Sequence, residues 1–117
     1  MRIGYWGIKG IAEYNKLCAS YLGLEYTEDN ITDREAWFKD KETMGFDFPN
    51  LPYVIDGDIK LTESNALVPY FAHKANKPEF MGVGLCAIKA RMVEEVCRDI
   101  KTAFGKAMWA PNAVEEL

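Results

Sequence analysis

The spacing of apolar and polar positions changes several times along the chain, and each change predicts an element. Arg2 to Trp6 is a short, largely apolar run that meets glycine, which suits a first strand; Ile11, Tyr14, Leu17, Cys18, Tyr21 and Leu22 then recur at helical spacing. Gly23 is placed to end that helix, and Leu24-Glu25-Tyr26-Thr27-Glu28 alternates as a half-buried second strand would. The unit is βαβ. Thr32 with Glu35 has the spacing of a capping box, so a second helix carrying Trp37 and Lys41 is expected to start at Thr32 and to close near Met44-Gly45. Pro49 and Pro52 flank Asn50-Leu51, after which Tyr53-Val54-Ile55, the turn Asp56-Gly57-Asp58 and Ile59-Lys60-Leu61 read as a β-hairpin. Ser64 is then the expected cap of a third helix, which Pro69 should kink because proline is tolerated only in the first turn.

Beyond Lys77-Pro78 and the glycines at 82 and 84, apolar residues recur helically from Leu85 to about Met108, with Pro111 as the stop. On this helix Leu85, Ile88, Met92, Val96, Ile100, Ala103 and Ala107 form a stripe that Val93, Cys97, Phe104 and Met108 widen, a breadth that predicts burial on more than one side and an isolated chain that does not stand alone as a monomer. The expected organisation is a compact domain over residues 1–76, a linker over 77–83 and the start of a helical domain over 84–117. The order of elements makes the first domain α/β.

Composition narrows the functional classes. At 117 residues, with 49% hydrophobic and 27% charged residues, the chain can bury one modest core and has the balance of a soluble globular protein. Its net charge is −4, and Lys and Arg alternate with acids rather than forming a stripe, so nucleic acid is not an expected partner. No apolar run is long enough for a membrane span and the start lacks a signal-peptide pattern, from which a cytoplasmic location is expected. Cys18, Cys86 and Cys97 are an odd, scattered set, suggesting neither a disulfide framework nor a dithiol site, and a lone His73 with such thiols predicts no metal centre.

Periodicity alone leaves the activity open, because many activities occupy such a scaffold. The motifs narrow it. Gly4-Tyr5-Trp6-Gly7-Ile8-Lys9-Gly10, Asp47-Phe48-Pro49-Asn50-Leu51-Pro52-Tyr53, Ile55-Asp56-Gly57 and Thr62-Glu63-Ser64-Asn65-Ala66 resemble, in order and at matching spacing, the mu-class cytosolic glutathione transferases. The resemblance implies a thioredoxin-like βαβ-α-ββα domain followed by the first long helix of an all-α domain.

The roles implied are those of a site that ionises a thiol. Tyr5 falls at the catalytic tyrosine position, where the phenol donates to the glutathione sulfur; a free thiol, with a pKa of about 8.5, is otherwise mostly protonated at neutral pH. Trp6, Trp37 and Lys41 fall where the family grips the glycine end, although alone Lys41 reads as a solvated helix residue. Asn50 and Leu51 precede Pro52, the counterpart of a cis-proline that presents Leu51 backbone to the cysteinyl peptide. Ser64 falls at the seat of the γ-glutamyl carboxylate, and Glu63 replaces the mu-class glutamine while remaining able to pair with the γ-glutamyl ammonium. Asp99 matches an aspartate that reaches the neighbouring subunit's glutathione, Phe48 matches the hydrophobic dimer key, and Trp109 stands where the family places an aromatic hydroxyl near the electrophile.

The family continues through further helices, so residues 84–117 would be only the opening of the helical domain. The activity implied is conjugation of glutathione, as co-substrate and without metal, to small apolar electrophiles by a homodimer or larger assembly. The alternatives are a noncatalytic binding or scaffold subunit and a glutathione-dependent isomerase or peroxidase.

Overall fold

The computed structural model describes residues 1–110. The chain divides into two compact units, Met1–Phe80 and a unit that begins at Met81. In the first, four strands, β1 (Arg2–Trp6), β2 (Thr27–Ile31), β3 (Tyr53–Asp56) and β4 (Ile59–Thr62), form one sheet in the order β2-β1-β3-β4. β1 and β2 are parallel, whereas β1/β3 and β3/β4 are antiparallel. With α1 (Glu13–Tyr21), α2 (Arg34–Asp40) and α3 (Ser64–Lys74) this is the thioredoxin-like βαβ-α-ββα order that the motifs imply.

The two faces of the sheet carry different cores. Ile3 and Val54 pack with Ala19 and Leu22 of the α1 region and with Leu67 and Phe71 of α3. Strand alternation sends the next residue, Tyr53, to the opposite face, where its ring meets Trp37 of α2 and Phe46; Tyr5, Ala12 and Leu51 belong to the same cluster of buried residues. Tyr53 lies across the sheet in one row: it is paired with Gly4 of β1, Gly4 is paired with Asp29 of β2, and the Tyr53 hydroxyl donates to the Asp29 carboxylate. Burial, and then this hydrogen bond, push the Tyr53 phenol well above its ordinary pKa. Gly4 lets the ring pass, since a Cβ there would stand 2.1 Å from Cζ of Tyr53.

Four expectations are corrected, one of helix phase and three of element limits. The first helix buries Ala12, Asn15, Lys16, Ala19 and Leu22, while Ile11, Leu17 and Tyr21 are exposed. Helical period was read correctly but its phase was not, because small alanines let α1 approach the sheet and the Lys16 ammonium reaches Glu28 of β2 at 2.6 Å. The second strand is Thr27–Ile31 rather than 24–28: the amides of Gly23 and Leu24 bond back to Ser20 and Ala19 carbonyls, a helix-ending motif that holds Leu24. The cap of α2 is Asp33, whose carboxylate accepts from the Ala36 amide at 2.9 Å, rather than Thr32. At such a site a charged acceptor also meets the positive end of the helix dipole.

The fourth correction concerns α3, whose cap is Glu63 with no side-chain bond, leaving Ser64 as the first helical residue. Pro69 lies inside α3, which continues to Lys74. At the far end of α3, the Asp56 carboxylate accepts from Lys74 Nζ at 2.5 Å and from the Tyr70 hydroxyl at 2.6 Å. Lys74, followed by Tyr70, holds the Asp56 carboxyl below the usual range, and burial with that same bond raises Tyr70 to about 12.

The sign follows by linkage. A depressed Asp56 contributes stability above the unfolded carboxylate value of about 3.9, and that contribution is lost as pH falls through the lower folded value. Tyr70 contributes below its unfolded value of about 10, and its share is lost as pH rises through about 12. Denaturant midpoints of Asp56→Asn measured from pH 2 to 7 should therefore change less with acid than those of the wild type. Parallel curves would remove Asp56 from the acid response.

In the second unit α4 runs from Leu85 to Met108, as its periodicity predicts, and buries none of its residues. Leu85, Ile88, Met92, Val93, Val96, Ile100, Phe104 and Met108 are all exposed. Pro111, the expected stop, lies outside the described residues. Among the described residues no helix is long and apolar enough to cross a membrane.

Candidate functional site

Four of the residues singled out by the motifs, Tyr5, Trp6, Trp37 and Leu51, pack in one cluster of the first unit. Tyr5 sits near the end of β1 and is only 8% exposed, packed in the cluster that also contains Trp37 and Leu51, with Trp6 at its margin. Trp37 stacks on Tyr53 with centroids 6.0 Å apart and meets Trp6 edge to face at 6.5 Å, so an aromatic layer anchors both tryptophans. The Tyr5 ring rests on Gly10, where a Cβ would fall 2.7 Å from Cε1 and 2.9 Å from the hydroxyl oxygen. Among the described residues none hydrogen-bonds the Tyr5 hydroxyl, which is not sealed from solvent, so its proton is available to a ligand.

Polar groups border this layer. Lys41 Nζ donates to the Pro49 carbonyl at 3.4 Å and lies 3.5 Å from the exposed Glu42 carboxylate, so an incoming carboxylate would compete with Glu42 for it. The Leu51–Pro52 peptide is cis. Asn50 uses both ends of its amide: Nδ2 donates to Glu63 Oε1 at 2.9 Å, and Oδ1 accepts from the Leu51 amide at 2.9 Å. The Leu51 N–H is thus already occupied, and a peptide pairing with it would have to displace the Asn50 side chain. Glu63 holds φ 68°, a left-handed backbone rarely taken by a non-glycine residue, and turns the chain from β4 into α3. Ser64 follows with the free amides of the helix start.

Tyr5, Trp37 and Leu51 thus share one cluster, and Asn50 ties the neighbouring cis-Pro52 loop to Glu63 at the start of α3. The family model for the glutathione S-transferase N-terminal domain matches residues 1–73. The chain belongs to the glutathione S-transferase family. It is 34% identical to mouse glutathione S-transferase Mu 4 over 125 residues, covering 96% of this chain and 54% of that one. A Tyrophagus putrescentiae glutathione S-transferase is 36% identical, covering 95% of this chain and 52% of the relative. The solved glutathione S-transferase Blo t 8 superposes with a TM-score of 0.82 at 30% identity, over 99% of this chain and 55% of that chain. The chain spans about half the length of the curated relatives it matches.

Three further residues expected from the resemblance are exposed. Phe48 is 75% exposed, with only its carbonyl engaged by Thr62. Asp99 and Trp109 belong to the second unit and are exposed there. An open groove of about 740 Å³ lined by Met1, Ser20 and the 24–28 segment contains none of the candidate residues. Among the described residues no group of three or more His, Cys, Asp or Glu could hold a metal ion.

Three residues enter that sequence reading missed. Arg34 lies over the Trp6 ring at 5.9 Å and the Phe38 ring at 5.3 Å, placing a second cation near Lys41, itself 5.5 Å from Phe38. The i, i+4 spacing of Arg34 and Phe38 was a usable signal. Gly10 stood in the Tyr5 motif without a role of its own, and Asn15 gave no signal because its partner, the Ser64 carbonyl, is 49 residues away.

Proposed function

We propose that this chain supplies the glutathione-binding half of a cytoplasmic glutathione transferase that joins the thiolate of glutathione to small apolar electrophiles. The observation that carries the reading is the Tyr5 hydroxyl, on a buried ring seated against Gly10 yet without a protein hydrogen-bond partner among the described residues. Such a donor favours the ionised sulfur by stabilising its charge. The thiolate then attacks an electrophilic carbon, forming a C–S bond while the leaving group takes the displaced electron pair; the thiol proton has already gone to solvent. Lys41, over the Phe38 ring that also meets Trp6, serves the glycyl carboxylate with Trp6 and Trp37. Leu51, Asn50 and cis-Pro52 serve the cysteinyl backbone, and Glu63 with Ser64 serves the γ-glutamyl end.

A homodimer belongs to the same proposal, with exposed Phe48 inserting into a second copy and Asp99 reaching its site. So does the division into a binding domain at 1–76, a linker at 77–83 and helical sequence from 84, with Trp109 toward the electrophile. Calorimetric titration with glutathione should give saturable binding that Trp37→Ala and Lys41→Ala weaken. Folded protein that gives no saturable signal, beside a responsive control transferase, would remove the glutathione reading. Binding without turnover toward any electrophile in the complete protein would favour the noncatalytic alternative.

A further inference from the structure

Asn15 is fully buried in α1, on the face that also buries Ala12 and Ala19. A primary amide is a costly side chain to bury, and here only half of it is compensated: Nδ2 donates to the Ser64 carbonyl at 2.8 Å, while Oδ1 is sealed without a described partner. Leucine would fill similar volume without that cost. The bond must therefore be weighed by what it holds.

Ser64 is the first residue of the 11-residue α3 and follows Glu63, whose left-handed backbone persists only where surrounding contacts over-determine it. Two such contacts are present. Asn50 holds the Glu63 side chain from the cis-Pro52 loop, and Asn15 holds the Ser64 carbonyl from α1. The neighbouring Tyr14 hydroxyl also donates to Asn65 Oδ1 at 2.9 Å, so α1 grips the first turn of α3 at two successive residues.

We propose that Asn15 is a positioning residue: its buried amide fixes the Glu63–Ser64 turn so that the Glu63 carboxylate and the free amides of α3 meet the γ-glutamyl end of glutathione. The proposal rests on the glutathione reading above for its ligand, but its geometry stands independently.

The test compares two ligands in calorimetric titrations of wild-type and Asn15→Leu protein: glutathione, and cysteinylglycine, which lacks the γ-glutamyl group. Loss of one well-placed hydrogen bond should weaken glutathione by about tenfold. Cysteinylglycine affinity and the pH at which bound thiol ionises should not move. If both ligands weaken together, or neither does, in a folded variant, the positioning role is overturned. Should leucine prevent folding, Asn15→Ala removes the same donor without added branching. Amide hydrogen exchange without ligand supplies the separate arm: positions 63–67 should exchange faster in the variant than in the wild type. Unchanged exchange there overturns the proposal even if wild type binds no glutathione, whereas absent wild-type binding with faster exchange removes only the ligand assignment.

Discussion

Gly4→Ala should leave the first unit severely destabilised, by about 3 kcal/mol or more, the upper end for added bulk in a packed interior. The added methyl would lie 2.1 Å from Cζ of Tyr53 and within 2.5 Å of both Cε atoms, so it would occupy the ring itself. The ring has nowhere to go. It stacks on Trp37, tilts against Phe46 at 5.1 Å, and is tethered through its hydroxyl to Asp29 on β2. Relief therefore requires β1 to part from β3 or the aromatic layer to break, in the cluster that also contains Tyr5. Denaturant unfolding of wild type, Gly4→Ala and Gly4→Ala/Tyr53→Leu would read this directly. The shorter side chain should recover part of the loss, giving clear non-additivity between two residues in contact. A Gly4→Ala midpoint equal to the wild-type value would mean that Tyr53 does not cross the sheet as described.

On the proposed function, Tyr5→Phe should lower glutathione-conjugating turnover by about 10²-fold, the scale on which one preorganised donor contributes to stabilising developing or full negative charge. Glutathione affinity should stay nearly constant, because the substitution keeps the ring and removes only a hydrogen bond made to the sulfur. The sign of the pH effect is fixed: a donor to the thiolate lowers the thiol pKa, so its loss moves the rising limb of the rate profile toward the free-thiol value of about 8.5. Ultraviolet absorbance of bound thiolate, titrated with pH, gives the same readout on this chain alone. Gly10→Ala should reproduce part of the shift by pushing the phenol from its seat. Gly57→Ala is the control, since Gly57 also has positive φ, at 61°, but nothing within 4 Å of an added Cβ. A Tyr5→Phe protein with unchanged turnover and pH profile would show that another group activates the sulfur.

The chemistry of both predictions was legible at different depths. Tyr5 stood out because its flanking glycines and tryptophan form part of a motif, and the Tyr53 hairpin was readable from its β-branched and aromatic run with a two-residue turn. Nothing in sequence joined Tyr53 to Gly4 or to Asp29, because each partner lies on a different strand. The polar second strand, Thr27–Ile31, was likewise misplaced: its charges are satisfied by Lys16, Arg2 and Tyr53 from elsewhere in the fold, so hydrophobic alternation was a poor guide to its limits.

Sequence by itself determined the features governed by neighbours along the chain: the helical period of 85–108, the hairpin turn, the breaks at glycine and proline, and the ordered motifs that carry the family. The tertiary structure decided which face of α1 is buried, that Asp33 rather than Thr32 caps α2, that Glu63 takes the strained turn before Ser64, and that Asn15 and Gly10 support the site. The physical reason is that period depends on backbone geometry within a few residues, whereas phase, register and seating depend on close approach between segments. The Asn15–Ser64 bond spans 49 residues, and only the folded sheet with α1 and α3 together on one face brings its two ends within 2.8 Å.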